Sequence, residues 1–152
     1  MAFDLFDKED EVDFEVIVFR STLPDYKLAY QLNQHLGTKL ERWEQDLDLI
    51  VKKESINFST YEYLDKGDQK ELYLLKNITF TKVEDKELTL FKESVKEKKF
   101  YLIPELSEFD FIIKNCGYNT LVLEKEIKKI TSIQLVKRID ESKLKSIDNL
   151  IF

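Results

Sequence analysis

The spacing of apolar residues changes several times along this chain, and each change predicts an element. Phe14 to Leu23 reads FEVIVFRSTL, a β-branched and aromatic run with the character of a buried strand. The period then becomes helical. Leu28, Leu32 and Leu36 recur at i, i+4 and i+8 with Ala29 beside them. Thr22 reads as the N-cap with Asp25 three residues on, Pro24 is tolerated in a first turn whose N–H groups have no partner, and Gly37 stands at the C′ position. A helix over about residues 24–36 is the best-specified element.

After a linker around Trp43, Asp46 to Lys52 alternates acid and aliphatic, as a strand with one wet face does. Ile56 to Leu64 and Glu71 to Asn77 predict two strands joined at Asp65-Lys66-Gly67-Asp68, a hairpin turn. Glu87 to Phe91 and Phe100 to Ile103 read as short strands, separated by a solvated, helical-looking run from Lys92 to Lys99. Phe109 to Lys114 reads as a strand, the alternative being a short helix capped by Ser107. A clear helix (about residues 120–130) and a clear strand (Ile133 to Ile139) follow it. Leu150, Ile151 and Phe152 form an apolar tip, expected to dock beside the strand that ends near Ile139. Two strand–helix–strand units around an antiparallel middle predict an α+β single domain. Its sheet is mixed or antiparallel, its two main helices lie on one face, and its halves are ferredoxin-like. The acidic N-terminal arm, residues 1–13, precedes this domain, residues 14–152.

The length of 152 residues suits one domain with a real core, and three glycines and two prolines exclude low-complexity classes. A single Cys cannot form an internal disulfide, which implies a reducing compartment. No apolar run approaches the ~18 residues of a membrane span, and the first residues are acidic. The expectation is a cytoplasmic protein without a membrane. The net charge of −6 resides entirely in residues 1–15, where seven acids face Lys8 alone. The remainder is formally neutral, and its cations are lysines apart from Arg20, Arg42 and Arg138, so nucleic acid is not an expected partner. The arm reads either as a solvating tail or, through Phe3 and Phe6, as an acidic-aromatic segment that docks in a partner's groove.

From Phe100 the chain reads FYLIPELSEFDF. Ile103, Pro104 and Glu105, three further residues, then Phe109, Asp110 and Phe111 resemble the signature of the IPExxxVDY family of short bacterial proteins, with Phe for Val and Phe for Tyr. Leu23 to Tyr30 and Leu144 to Phe152 resemble that family too. The resemblance spans the chain but implies no catalytic residue, ligand or partner, because the family is functionally uncharacterised. The motif residues read as structural: Pro104 ends a strand, and Glu105 and Asp110 accept backbone N–H groups across the turn that follows.

Catalytic apparatus is scarce. His35 lies on the edge of the first helix's apolar stripe, and Cys116 has no second Cys or sequence-local His. One Cys and one His cannot make a zinc set, and three isolated glycines cannot cradle a phosphate, so no cofactor or metal site is assigned. Asp46 with Asp48, and Glu105, Glu108 and Asp110, are acids whose convergence a sequence cannot show. The most positive signal is aromatic. At 100° per residue from Leu28, Tyr26 and Tyr30 fall at about 160° and 200°, away from the aliphatic stripe, either beneath the middle strands or facing a partner. The reading is a non-enzymatic cytosolic protein-interaction or adaptor module. The rivals are a small-ligand-sensing domain of ferredoxin-like type and a carboxylate-dependent enzyme; partner identity and oligomeric state stay open.

Overall fold

Continuous apolar strands arise where a sheet is covered on both faces, and three strands here meet that condition. The structure is a computed structural model and describes residues 13–84 and 95–152. Its strands are β1 (Glu15–Arg20), β2 (Glu41–Arg42), β3 (Leu47–Val51), β4 (Glu54–Phe58), β5 (Thr60–Asp65), β6 (Lys70–Lys76), β7 (Ile78–Glu84), β8 (Val95–Tyr101), β9 (Phe111–Cys116) and β10 (Gln134–Ile139). The helices are α1 (Asp25–Leu36) and α2 (Thr120–Lys128). One sheet has the order β10-β1-β9-β6-β5-β2, and the pairs β3-β4 and β7-β8 stand apart from it. In β1, Ile17 and Phe19 enter a front core beneath α1 and α2, whereas Val16 and Val18 enter a back core. Strands β6 and β9 divide their residues the same way, which is why none of the three alternates apolar with polar.

The front core joins Leu28, Ala29 and Leu32 of α1 to Leu123 and Ile127 of α2. Gly37 ends α1 in the left-handed region (φ 69°), its N–H donating to the Asn33 carbonyl at 2.9 Å, and Asn119 caps α2 by accepting from the Val122 N–H. The back core is roofed by the β3-β4 hairpin, the segment 102–110 and a strap after β10 that contributes Leu144 and Leu150. This is a single α+β domain.

The structure corrects several expectations. Among the described residues every strand pairing is antiparallel, which is one of the two sheet types expected. The second strand–helix–strand unit forms, with β9 and β10 on either side of β1. The first does not close through residues 46–52, because β3 pairs with β4 on the back. The stretch Ile56 to Leu64 is two strands. At Ser59-Thr60 the chain changes faces, sending Phe58 to the back core and Tyr61 to the front. The buried Thr60 hydroxyl fixes that corner, donating to the Phe58 carbonyl (2.9 Å) and accepting from the Leu47 N–H (3.3 Å). Lys96 to Lys99 is strand rather than helix. A strand at Ile78–Glu84, absent from the sequence reading, pairs with it in a two-stranded ribbon where Lys82 faces Glu97. The strand expected at Glu87 to Phe91 lies outside the described residues. Of residues 109–114, those from Phe111 onward are strand rather than helix, in β9, and Phe109 and Asp110 precede it. Thr22 is not the cap of α1; Pro24 holds that position with no side-chain bond.

One buried residue ties the family-like motif into this frame. Asn77, fully buried between β6 and β7, donates its Nδ2 to the carbonyls of Leu106 (2.9 Å) and Phe109 (3.1 Å). Its Oδ1 accepts from the Ile103 N–H (2.8 Å), its N–H donates to the Asp110 carbonyl, and its carbonyl accepts from the Leu102 N–H. All five bonds go to the segment 102–110. Asn77→Leu is expected to destabilise by about 3–5 kcal/mol in urea unfolding, since it leaves the Phe109 carbonyl and the Ile103 N–H buried without partners and takes one of two donors from the Leu106 carbonyl. A loss below about 1 kcal/mol would mean the segment holds its shape without this side chain.

Candidate functional site

Helix α1 turns its apolar stripe into the front core, and two aromatic rings are left on its other side. Tyr26 and Tyr30 are 61% and 62% exposed, so the middle strands do not cover them. They stand one turn apart, and the Tyr30 hydroxyl accepts from Gln34 Nε2 at 2.7 Å. The end of the face is stiffened by Arg42. Its guanidinium grips Asp46 with two bonds (3.2 and 2.7 Å), lies 3.5 Å from Asp25 at the start of α1, and covers the Tyr61 ring. The hydrogen bond to Asp46 raises the Arg42 pKa further, against the opposing effect of burial. Asp46 is thus engaged by Arg42 while Asp48 is exposed, and the two make no joint site. Phe3 and Phe6, the other partner-facing candidates, lie outside the described residues.

Where α1 meets α2 the packing leaves a cleft of about 410 Å³. Its walls are Leu36, Leu72, Val122 and Leu123, and its polar rim includes Thr38, Asn119 and a His35–Glu126 contact of 3.8 Å. Tyr118 also lines it; its hydroxyl is buried without a hydrogen-bond partner among the described residues, and burial, then Tyr63, Asp65 and Asp68, pushes it up to about 12. The α2 residues of this cleft were not legible in the sequence, because the cleft exists only once two helices pack. His35 is here, on the front of the sheet, whereas Cys116 packs against the back core. The two do not meet. Burial also raises the Cys116 thiol, with Lys114 opposing, so no activated thiolate stands here at neutral pH.

The motif residues are occupied structurally. Ile103, Phe109 and Phe111 are buried, and Pro104 opens a 3-10 turn, Pro104–Leu106. The two acids accept backbone N–H groups, but from distant segments instead of the following turn. Asp110 Oδ2 takes the Ser21 N–H at 3.0 Å, just past β1. Glu105 takes both the N–H (2.8 Å) and hydroxyl (2.6 Å) of Ser146 in the strap. Arg20 Nε donates to the neighbouring Glu108 carbonyl at 2.6 Å. The strap is further fixed by Asn149, which donates to the Leu102 carbonyl at 2.8 Å. The apolar tip therefore docks against segment 102–106 as well as the core: Leu150 is fully buried and Phe152 lies edge-on to Trp43 and Tyr73, while Ile151 faces outward, 58% exposed.

No protein-family model, curated protein or solved structure matches this chain.

Desolvation works against the Glu105 charge, yet the bonds from Ser146 prevail and hold its pKa below the ordinary value of 4.5. A lowered folded-state pKa gives stability that is complete above the unfolded value and is lost as pH falls through the folded one. Glu105→Gln should therefore cost about 0.5–1 kcal/mol at pH 7, modest because the pair is exposed, and the gap from wild type should narrow as the pH falls below the ordinary value of 4.5. Asp110→Asn, at a part-buried site, should cost about 1–3 kcal/mol. A gap that widens on acidification would contradict this account of Glu105.

Proposed function

We propose that this protein is a non-enzymatic interaction module that engages a protein partner through the exposed face of α1. The observation that carries this reading is the Tyr26–Tyr30 pair: two large rings, each more than 60% exposed, one helical turn apart. Tyrosine buries much area at small conformational cost and keeps a polar tip for hydrogen bonding, which is why it is enriched at interface centres. The adjacent Arg42, held by Asp25 and Asp46, gives the patch a rigid polar margin. The motif residues Ile103, Pro104, Glu105, Phe109, Asp110 and Phe111 support placing the chain in the IPExxxVDY family, and a cytoplasmic location accompanies that reading. The strand order β10-β1-β9-β6, with both helices on one face, supports a ferredoxin-like description of the central unit.

The α1–α2 cleft favours a second reading, a small-ligand sensor, since apolar walls with a few polar groups at the rim suit a small molecule. Two variants separate the readings. Tyr26→Ala with Tyr30→Ala should leave the melting temperature within a few degrees of wild type and abolish co-purification of a partner from the native cells. Val122→Trp, which fills the cleft, should spare that partner. If the cleft variant alone loses the bound species, and that species is a small molecule, the sensor reading replaces the first.

A further inference from the structure

The back face of the sheet is apolar at its centre except for one ammonium. Lys114 lies in β9 on the same face as Ile112, and only 5% of it is exposed. Its Nζ stands 3.7 Å from the Phe152 ring centre, 4.8 Å from that of Phe14 and 5.1 Å from that of Tyr73. Trp43 closes the box edge-on, 5.2 Å from Phe152 and 6.2 Å from Tyr73. Among the described residues no carboxylate is within ion-pair distance of this amine; Glu71 instead accepts the Tyr73 hydroxyl at 3.0 Å. Ring faces attract a cation, but they return only part of what leaving water costs.

We propose that Lys114 is a nucleophilic amine site for a small carbonyl compound, an aldehyde or ketone, with Phe152 as the lid that swings aside to admit it. The lone pair of the neutral amine adds to the carbonyl carbon, and the oxygen takes up a proton from nitrogen. The resulting hydroxyl leaves as water with the second amine proton, forming C=N. One amine and one carbonyl give one imine and one water, with no change of oxidation state. Burial pulls the Lys114 pKa below its ordinary value, while Cys116 and Glu71 oppose that, so neutral amine is more available than on an exposed lysine. The groups facing it are Glu71 and Tyr73 from β6, Cys116 from β9, Phe14 just before β1, and Phe152 from the strap. The aromatic walls exclude the water that would hydrolyse an imine. Phe152 is 43% exposed and sits beyond the anchors Ser146, Asn149 and Leu150, so it can turn outward while the strap stays docked.

The test is reductive labelling of the full chain with limiting benzaldehyde and cyanoborohydride near neutral pH, read lysine by lysine by mass spectrometry. Each unit of lowered pKa makes about tenfold more neutral amine available. Lys114 should therefore label faster than the median of the 21 lysines in wild type, and faster still in Phe152→Ala. Its labelling should also reach half-maximum at lower pH than theirs. Phe152→Leu, which keeps an apolar anchor without the ring, guards against a folding defect and should behave like Phe152→Ala. Labelling of Lys114 at or below the median in all three proteins, or only in urea, overturns the proposal.

Discussion

The back half of this molecule depends on one buried amide. Asn77 makes five hydrogen bonds to irregular backbone, and so allows the segment 102–110 to lie inside the protein without a sheet. Everything that roofs the back core then follows from that segment's shape. Leu102 offers its carbonyl to Asn149, Glu105 holds Ser146, and Asp110 secures the exit of β1 through the Ser21 N–H. An aliphatic residue at position 77 would fit the apolar surroundings and break the arrangement, because the cost of burying unpaired peptide groups exceeds what one more side chain returns.

Sequence and structure agree where local chemistry decides and part company where distant residues decide. Helix α1 could be read from Leu28, Leu32, Leu36 and Gly37, since period and C-cap are properties of neighbouring residues. The placing of Tyr26 and Tyr30 away from the leucines follows from the same period, but their exposure does not, since it depends on where the middle strands run. The split at Ser59-Thr60 is different: nothing in the run from Ile56 to Leu64 marks the corner, because its cause is a hydroxyl bonding Leu47. Lys96 to Lys99 looked helical because a solvated charge run has no period to betray a strand; its conformation comes from β7. Asn77 looked like the tail of a strand, and its partners lie 26 to 32 residues away.

The two faces of the sheet differ in kind. The front is helical packing with a cleft that opens between α1 and α2, rimmed by His35, Glu126 and Asn119. The back is roofed mainly by a hairpin and loops, and it encloses the ring-lined amine of Lys114. The thickness of the sheet separates His35 from Cys116, so these two do not form a Cys–His pair.

The position of β1 has a consequence for how the chain reaches this state. Both of its neighbours come late: Ile17 pairs with Ile113 on one side and Arg138 on the other. During synthesis the sequence EVIVF is thus made early and waits for about a hundred further residues, several seconds at ordinary elongation rates, before either edge can be covered. Its apolar part, Val16 to Phe19, is short and β-branched, and a stretch of that kind pairs with copies of itself. The acids Glu9, Asp10, Glu11, Asp13 and Glu15 directly precede it in the sequence, and like charges brought together by in-register stacking repel. The concentration of the molecule's whole net charge beside its most apolar strand thus opposes self-assembly while the chain is unfinished, whatever else the arm does in the folded protein.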